Sequence, residues 1–273
     1  MRLAAVCVAL LLTGPAAGQV LDDARGHEDG CDRPAPPPFS ESVTSDKGPV
    51  VEARYFGATD AYAHGVLGDA IEASGLLVRY DDGSRVVCDT VQAGPDRVFE
   101  DTEPRLVDLT GDGVHEVIAV ASHANQGARL EVYGYPELGQ DFQLLAHTPY
   151  IGTSFRWLAP VGAADLDGDG YMEIAYVDRP HLAKTLRIWR YKDGDLSEIA
   201  TQQGYSNHKI GWPFIAGGLR DCGAGPEMIL ATGNWSRVVA ARLQGNVVVT
   251  RDIGAYWSPE SVQEALLCTS KIE

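Results

Sequence analysis

The sequence predicts an all-β fold made of repeated four-stranded units, and two observations lead to this prediction. From about residue 50 onwards, short apolar runs are separated by glycine, aspartate and asparagine at spacings that favour antiparallel strands over helices. In addition, a strand-loop-strand pattern recurs, and Asp108 and Asp165, which begin two acidic loops, are 57 residues apart. Repeats of this length are typical of propeller blades or solenoids, and four strands per unit is the number in a propeller blade. We therefore expect a β-propeller of four, alternatively five, four-stranded blades.

Residues 1–18 have the features of a secretory signal peptide. Arg2 supplies a positive charge, residues 3–12 form a short apolar run, and small residues end the segment at Gly18. We expect cleavage after Gly18 and export to the periplasm or the cell exterior, with an uncleaved anchor as the alternative. No later run approaches the ~18 consecutive apolar residues of a membrane-spanning helix. No transmembrane segment is therefore expected after removal of the signal peptide.

The rest of the chain divides into a linker, a repeat domain and a tail. Residues 19–49 are rich in proline and polar residues and have little apolar periodicity, which indicates a linker. Residues 50–257 are expected to form the β-propeller, and residues 258–273 a C-terminal tail. Residues 50–55 and this tail are the only segments that remain for a fifth blade.

The chain is strongly acidic. Its 273 residues carry a formal net charge of −16, and loss of Arg2 with the signal peptide would leave −17. Nucleic acids and anionic membranes are bound through basic surfaces. We therefore expect no nucleic-acid partner, and a protein or a small molecule remains as the expected ligand.

Four cysteines follow the predicted signal peptide, and an even number in an exported protein indicates disulfide bonds. Cys31 lies in the linker and Cys88 in a predicted strand of the first blade, while Cys222 lies in a loop of the last blade and Cys268 in the tail. We predict one bridge between Cys31 and Cys88 and another between Cys222 and Cys268. The other pairings are open, and free buried thiols are the alternative.

The most regular motif is an acidic loop between two apolar runs. It places Asp165, Asp167 and Asp169 at loop positions one, three and five, Tyr171 at position seven and Glu173 at position nine. Calcium takes about six to eight oxygen ligands, which alternating carboxylates and a backbone carbonyl can supply. We predict that Ca²⁺ binds to the side chains of the four acids and to the Tyr171 carbonyl.

A second loop upstream has the same pattern with one change. Asp108, Asp112 and Glu116 occupy positions one, five and nine, Thr110 takes position three and Val114 position seven. We predict a weaker calcium site there, in which Thr110 or water completes the ligands. A polar turn without metal is the alternative for both loops.

A helix-loop-helix calcium motif does not fit these loops, because it needs a glutamate at position twelve and flanking helices. Position twelve is Ala119 in one copy and Tyr176 in the other, and both loops are followed by short apolar runs typical of buried strands. With their acid spacing, the two segments resemble the FG-GAP or VCBS repeat, the unit of integrin-α-like β-propellers. The resemblance implies a calcium-stabilised propeller that serves as a binding or scaffolding module.

Further strands and two degenerate loops complete the repeat. The second and third blades have predicted strands over residues 128–133, 142–146, 185–190 and 196–200, and the fourth over residues 213–218, 227–232, 237–242 and 247–252. In the fourth blade Leu219 replaces the first aspartate although Glu227 keeps position nine, so we expect that this copy has lost its metal. In the first blade Asp69 and Glu72 lie too close together to match the loop.

Alternating strand direction in a propeller places the acidic loops at one face and the other turns and blade connections at the opposite face. Aromatic and basic residues are concentrated in this second group of segments, and loops on a rigid scaffold commonly carry binding groups. We predict a functional site there, formed by Arg156, Trp157, Arg179, His181, Asn207, His208, Lys209, Trp212 and Trp235. Alternatively, the tryptophans pack between blades and the charged residues are solvated.

Three functions are compatible with this pattern. The first is an exported calcium-binding module for a protein or a small anionic or aromatic ligand, because positive and aromatic groups gather on an acidic protein. The second is an enzyme, a hydrolase or lyase, that uses His123, His208 or Lys209, although no nucleophile elbow or His-Glu-x-x-His motif is present. The third is a structural part of a cell-envelope assembly. We expect binding rather than catalysis.

Overall fold

The computed structural model describes residues 31–137 and 140–268, and within them the chain forms 18 strands and one short helix. The prediction of an all-β fold is confirmed. The predicted signal peptide and the linker as far as residue 30 lie outside the described residues. Within the described part of the chain, no helix is long and apolar enough to cross a membrane.

The first unit is a meander of antiparallel strands. It consists of β1 (Val43–Thr44), β2 (Val50–Thr59), β3 (Glu72–Asp81) and β4 (Val86–Gln92), each paired with the next. β3 is buried along most of its length, as its apolar composition requires of a central strand. Residues 50–55, which could have belonged to a fifth blade, are part of β2.

The second unit has a first strand in two pieces. β5 (Arg97–Phe99) and β6 (Arg105–Val107) both pair with β7 (Glu116–His123), because residues 100–104 leave the sheet between them. β7 pairs with β8 (Gly127–Gly134), and β8 pairs with β9 (Gln143–His147). A pairing between β3 and β5 joins the first two units into one nine-stranded sheet. β8 and β9 confirm the two strands predicted for this blade.

The third unit is a four-stranded antiparallel sheet in chain order. It consists of β10 (Leu158–Ala164), β11 (Met172–Asp178), β12 (Thr185–Lys192) and β13 (Asp195–Gln203). β12 and β13 confirm the predicted strands. β11 is buried almost throughout, whereas β13 alternates between exposed and buried residues, as expected for an edge strand with one solvated face.

The fourth unit repeats the division of the first strand. Its strands are β14 (Tyr205–Ser206), β15 (Gly218–Asp221), β16 (Pro226–Thr232), β17 (Arg237–Gln244) and β18 (Val247–Ala255). β14 and β15 both pair with β16. The strand predicted over residues 213–218 is wrong, because residues 207–217 form a loop between these two pieces. Pro213 lacks the backbone N–H that a sheet ladder needs, which disfavours a strand at that point.

The described part of the C-terminal tail is mainly a helix, α1 (Pro259–Leu266), and contributes no strand to a further blade. Proline at the first turn and Glu260 beside it favour a helix start. Val262 and Ala265 are buried against Ile229 and neighbouring side chains of β16 and β17. The helix therefore covers one apolar face of the fourth unit.

Successive units pack against each other through shared apolar clusters. The clusters join Leu76 with Tyr133, Leu130 with Ile174, and Ile188 with Leu230. Each cluster joins two units that follow each other in the chain, and the cluster between the second and third units also includes Val66 and Leu67 from the loop between β2 and β3. The apolar faces of the sheets are therefore buried between neighbouring units rather than in one central core.

Both predicted disulfide bonds are present, one between Cys31 and Cys88 and one between Cys222 and Cys268. The first ties the predicted linker to β4. Hydrogen bonds from Gly57 N to Ala35 O, at 3.2 Å, and from Glu41 N to Thr102 O, at 2.9 Å, hold the same segment against the first two units. The described part of the linker is therefore attached to the body, since its extended backbone can pair with groups at its surface.

Candidate functional site

The loop between β10 and β11 is a tight turn built around Asp165. Its carboxylate accepts hydrogen bonds from the backbone N–H groups of Gly168, Asp169 and Gly170 at 2.7, 3.1 and 3.0 Å. Gly168 and Gly170 have φ angles of 82° and 90°. This left-handed conformation favours glycine and explains the alternation of glycine with aspartate in the loop.

The same turn gathers the acids that were predicted to bind calcium. Carboxylate oxygens of Asp165, Asp167 and Glu173 lie within 4.8 Å of one another. This cluster could hold a metal ion, and its hard oxygen donors fit Ca²⁺. Asp169 lies beside it, and the ring of Tyr171 packs under the Lys192 ammonium group, with 4.4 Å between Nζ and the ring centroid.

The loop between β6 and β7 has the same backbone plan. Asp108 accepts hydrogen bonds from the N–H groups of Gly111 and Gly113 at 2.7 and 2.9 Å, as Asp165 does in the later loop. Glu116 accepts one from Leu109 N at 2.7 Å, and Glu173 accepts the equivalent bond from Leu166 N. The two loops are therefore structural copies of each other.

The two copies differ in their acids. Thr110 takes the position of a carboxylate, and Val114 N donates to Asp112 at 2.8 Å. A three-carboxylate cluster like that of the later loop is not found here within the described residues. Burial and the negative charges of Asp112 and Asp108, opposed by the hydrogen bond from Leu109 N, raise the pKa of Glu116 to about 7.

The corresponding loop of the fourth unit lacks the first aspartate, and its glutamate is surrounded by arginines from the loop and from the next two strands. Glu227 accepts hydrogen bonds from Arg220 and Arg242, both at 2.8 Å, and from Arg251 at 3.1 Å. Burial acts to raise the pKa of Glu227, but these guanidinium groups outweigh it and lower the pKa to about 2. Guanidinium groups therefore neutralise the glutamate of this copy.

Strand register puts a second group of predicted residues at the other end of the same sheets. In the third unit, Ala164 pairs with Glu173 beside the acidic loop, and Leu158 pairs with Asp178 at the far end. The turn between β11 and β12 and the segment before β10 therefore lie at the end away from the acidic loop. We call this the connection end.

At the connection end, aromatic rings from the third and fourth units form a continuous chain. The aromatic chain consists of His181 and Trp157, both against His208, followed by Trp212, Trp235 and Tyr256. The ring centroid of His208 lies 5.1 Å from that of His181, 4.9 Å from that of Trp157 and 6.4 Å from that of Trp212. Trp235 follows at 5.3 Å from Trp212, and Tyr256 at 4.9 Å from Trp235, and all these distances are within or near the range of favourable ring contacts.

Lys209 lies over the end of the aromatic chain. Its ammonium nitrogen is 5.2 Å from the ring centroid of Trp212, 4.6 Å from that of Trp235 and 5.0 Å from that of Tyr256. Such contacts stabilise a cation by the negative faces of the rings. Among the described residues no carboxylate forms a salt bridge with Lys209, so its positive charge is not cancelled locally.

Two histidines of the aromatic chain form a hydrogen-bonded pair. His208 Nε2 lies 2.9 Å from the Trp212 carbonyl oxygen, which can only accept, so Nε2 carries the proton. His208 Nδ1 then accepts from His181 Nε2, which is also 2.9 Å away. Burial lowers the pKa of each imidazole to about 4. Both rings are therefore neutral at neutral pH.

Three predicted residues lie outside the aromatic chain. Asn207 is fully buried, and its Nδ2 donates to the Ala159 and Pro160 carbonyls at 3.1 Å, which is a packing role. Arg179 forms an ion pair with Asp178 at 2.8 Å in a neighbouring pocket. Arg156 donates to the Phe155 carbonyl at 2.8 Å and lies at the edge. The other six predicted residues are in contact with one another.

Large apolar side chains of the connection end are exposed to solvent. We call them the exposed apolar set, which consists of Phe155 (47% exposed), Leu182 (63%), Ile210 (70%), Phe214 (38%) and Trp257 (57%). Phe214 stacks on Trp212 at 4.8 Å, and the other four lie next to or one residue from members of the aromatic chain or Lys209 in the sequence.

The sequence analysis missed residues from the loop between β2 and β3. Tyr62 stacks on Phe155 with 4.9 Å between ring centroids, and His64 lies 5.4 Å from the same ring. His64 Nδ1 is 2.5 Å from a carboxylate oxygen of buried Glu100. The degenerate copy of the acidic loop in the first blade would put this loop with the acidic loops, and no local signal in the sequence places it at the connection end.

Comparison with known families identifies part of the chain. Residues 108–176 match the FG-GAP-like repeat. The match begins at the first aspartate of the earlier acidic loop and ends in β11, so it includes both structural copies. The predicted resemblance is therefore confirmed for this segment. A search of curated proteins found no match.

Three solved structures are similar to the chain at low sequence identity. They are an exo-β-1,3-galactanase from Phanerochaete chrysosporium (11% identity, TM-score 0.43), Sqt1 from Saccharomyces cerevisiae (9%, 0.37) and the exotype rhamnogalacturonan lyase YesX (13%, 0.39). The alignments cover 79%, 76% and 82% of this chain. They cover 51%, 50% and 51% of the other chains, so this chain spans about half of their length.

Proposed function

We propose that this protein is an exported, calcium-binding β-propeller whose connection end docks a protein segment that carries acidic and apolar side chains. The four sheet units are its blades. Support for this arrangement comes from the shared apolar clusters, which join each unit to the next, and from the use of residues 50–55 in the first unit.

Calcium would occupy the two acidic loops of the second and third blades. The carboxylate cluster of Asp165, Asp167 and Glu173 and its structural copy around Asp108 supply the oxygen donors. A bound ion supplies positive charge that neutralises these acids and holds the ends of two strands together. Export is supported by the two disulfide bonds, which persist in oxidising compartments.

The observation that carries the docking proposal is the exposed apolar set. Five large apolar side chains from four segments are exposed at one end of the molecule, and one of them, Phe214, stacks on Trp212 of the aromatic chain. Exposed apolar residues gathered in one region commonly mark protein-binding surfaces. Aromatic residues are also enriched where binding energy is concentrated.

Charge defines the chemistry of the partner. Lys209 lies among aromatic rings without a carboxylate partner in the described chain, and Arg156 bonds only to a backbone carbonyl. These positive groups stand out on a chain of net charge −16. Complementary potentials at an interface favour the matching partner, so a segment with acidic side chains fits this end.

The residues considered for catalysis support binding instead. His208 is fully buried and both of its ring nitrogens are hydrogen-bonded. His123 Nδ1 accepts a hydrogen bond from Asn125 N, and its ring contacts Tyr150. Lys209 is held by three rings. None of these groups is a free base next to a nucleophile, which nucleophilic catalysis needs.

Photo-crosslinking tests the docking surface. A photo-reactive amino acid replaces Ile210 in one variant and Val247 in a second, control variant. The two residues are similarly exposed, at 70% and 63%, but Val247 lies on the β17–β18 hairpin beside the acidic loops. After exposure to an extract of the source cell, mass spectrometry identifies the crosslinked peptides. We expect position 210 to capture one acidic, apolar segment reproducibly, and Lys209→Ala to reduce this capture. Capture at position 247 alone, or capture unaffected by Lys209→Ala, contradicts the proposal.

A further inference from the structure

One position next to the acidic loops is arginine in the third and fourth units and glycine in the second. It lies opposite the last glutamate of the loop, on the following strand. Glu173 pairs directly with Arg190 across β11 and β12. Glu227 faces Arg242, whose Nε donates to it at 2.8 Å. Glu116 faces Gly134, where an added Cβ would lie 3.1 Å from Glu116 Cγ.

Arg190 makes ion pairs with three acids of its loop. Its guanidinium nitrogens lie 2.7 Å from Asp167 Oδ2, 2.9 Å from Asp169 Oδ2 and 2.7 Å from Glu173 Oε1. Only Asp165 is left out, and backbone N–H groups already bind it. The guanidinium therefore neutralises part of the charge that would attract a metal ion, and it occupies one oxygen on each of three candidate ligands.

The earlier loop has no such cation. Within the described residues, the carboxylates of Asp108, Asp112 and Glu116 accept hydrogen bonds from backbone N–H groups alone. A side chain at Gly134 would also press on Leu145, whose Cδ1 would be 2.8 Å from an added Cβ. An arginine at this position would require the side chains of Leu145 and Glu116 to shift, and Gly134 itself supplies no cation.

We infer that Arg190 is a built-in counter-ion of the 165–173 loop. It holds the carboxylates together when no metal is bound and weakens calcium binding there, whereas the 108–116 loop depends on the ion for its charge balance. In the fourth unit, the arginines around Glu227 take the place of the metal ion altogether. The inference rests on the proposed calcium binding.

Calcium titration by calorimetry tests the role of Arg190. In an Asp108→Ala background, which removes the first ligand of the earlier loop, the titration reports the 165–173 loop. Arg190→Gln should bind calcium about tenfold more tightly, because a unit charge several ångströms from a divalent ion contributes on this scale at a solvated site. Arg187→Gln is the matched control, since Arg187 lies on the same strand and pairs with Asp178 and Glu198 instead. Its affinity should equal that of the background.

Thermal melting gives a second readout. In chelator, both substitutions should lower the melting temperature because both remove ion pairs. At the same calcium concentration, the melting temperature of Arg190→Gln should rise by more than that of Arg187→Gln, because tighter binding stabilises the folded state more. If calcium binds but Arg190→Gln has the same affinity as the background or a lower one, the inference about Arg190 is wrong. The proposed calcium binding then still stands. If neither the wild type nor any variant binds calcium, the proposed calcium binding is refuted and the inference falls with it.

Discussion

Glu72, at the start of β3, is a buried carboxylate in an acidic environment. It is 4% exposed, and no hydrogen bond to its side chain is present within the described residues. Burial raises the pKa of Glu72 to about 9, with further contributions from the charges of Glu100, Asp69 and Asp101. The folded protein therefore holds a proton on Glu72 that the unfolded chain releases above pH 4.5.

This linkage gives a sign for the dependence of stability on pH. Between pH 4.5 and pH 9 the folded state binds the extra proton, so the wild type loses stability as the pH rises through this window. Glu72→Gln, which cannot ionise, should be more stable than the wild type by about 4 to 5 kcal/mol at pH 8. The difference should shrink towards pH 5.

Chemical denaturation at several pH values measures this difference. Glu137→Gln, at an exposed glutamate, is the control and should change stability little at any pH. A Glu72→Gln variant that is less stable than the wild type at pH 8 would mean that the carboxylate is ionised and paired in the folded protein.

Some residues of the candidate site could be predicted from the sequence, and others could not. The acids of the two loops were found because their spacing is local and repeats. Trp157, His181, His208, Lys209, Trp212 and Trp235 contact one another, and the sequence could suggest this because strand direction assigns their turns to one end. Arg190 was missed, since its role depends on cross-strand pairing with Glu173, which leaves no local signal.

At the scale of elements, the bridge between Cys222 and Cys268 attaches α1 to the fourth unit. The cysteines are 46 residues apart, and Val262 and Ala265 of the helix are buried on the sheet. Closing a loop of this length stabilises a protein by about 3 to 4 kcal/mol in the chain-entropy model. Replacing both cysteines by serine should lower the free energy of unfolding by that amount.

Denaturant unfolding of the double variant measures the loss, and peptide mapping without reductant checks the pairing. The bridge between Cys31 and Cys88 should remain in the variant, which makes it an internal control. Unchanged unfolding midpoints would show that helix packing alone holds the tail.

The strands themselves were predictable to different degrees. β8, β9, β12 and β13 follow from apolar runs bounded by turn residues. The split first strands were not predictable, because the loop over residues 207–217 leaves the sheet to place His208 and Trp212 in the aromatic chain. Tertiary contacts of this kind override the local pattern. For the same reason the strand expected over residues 213–218 was wrong.

For the whole molecule, calcium should raise the melting temperature. If free calcium exceeds the dissociation constant ten- to a hundredfold, binding adds about 1.4 to 2.7 kcal/mol. For a domain of this size, the corresponding shift is about 3 to 10 °C. The double variant Asp108→Ala with Asp165→Ala should lose this shift, whereas Lys209→Ala should keep it. An unchanged wild-type midpoint after chelation would contradict a stabilising role for calcium.

The central claim is that the two ends of the molecule have separate roles, one in stability and one in binding. The most direct measurement is the dissociation constant of the segment captured at Ile210, determined by surface plasmon resonance with calcium and again with chelator. Both measurements are made at a temperature where circular dichroism shows the fold intact. Chelation should change this constant by less than about twofold, because the acidic loops lie at the far end of the strands. Lys209→Ala should weaken binding about tenfold, which corresponds to a loss of roughly 1.4 kcal/mol of binding free energy. Loss of binding on chelation from a folded protein, with Lys209→Ala unaffected, would contradict the claim and place the partner at the calcium loops.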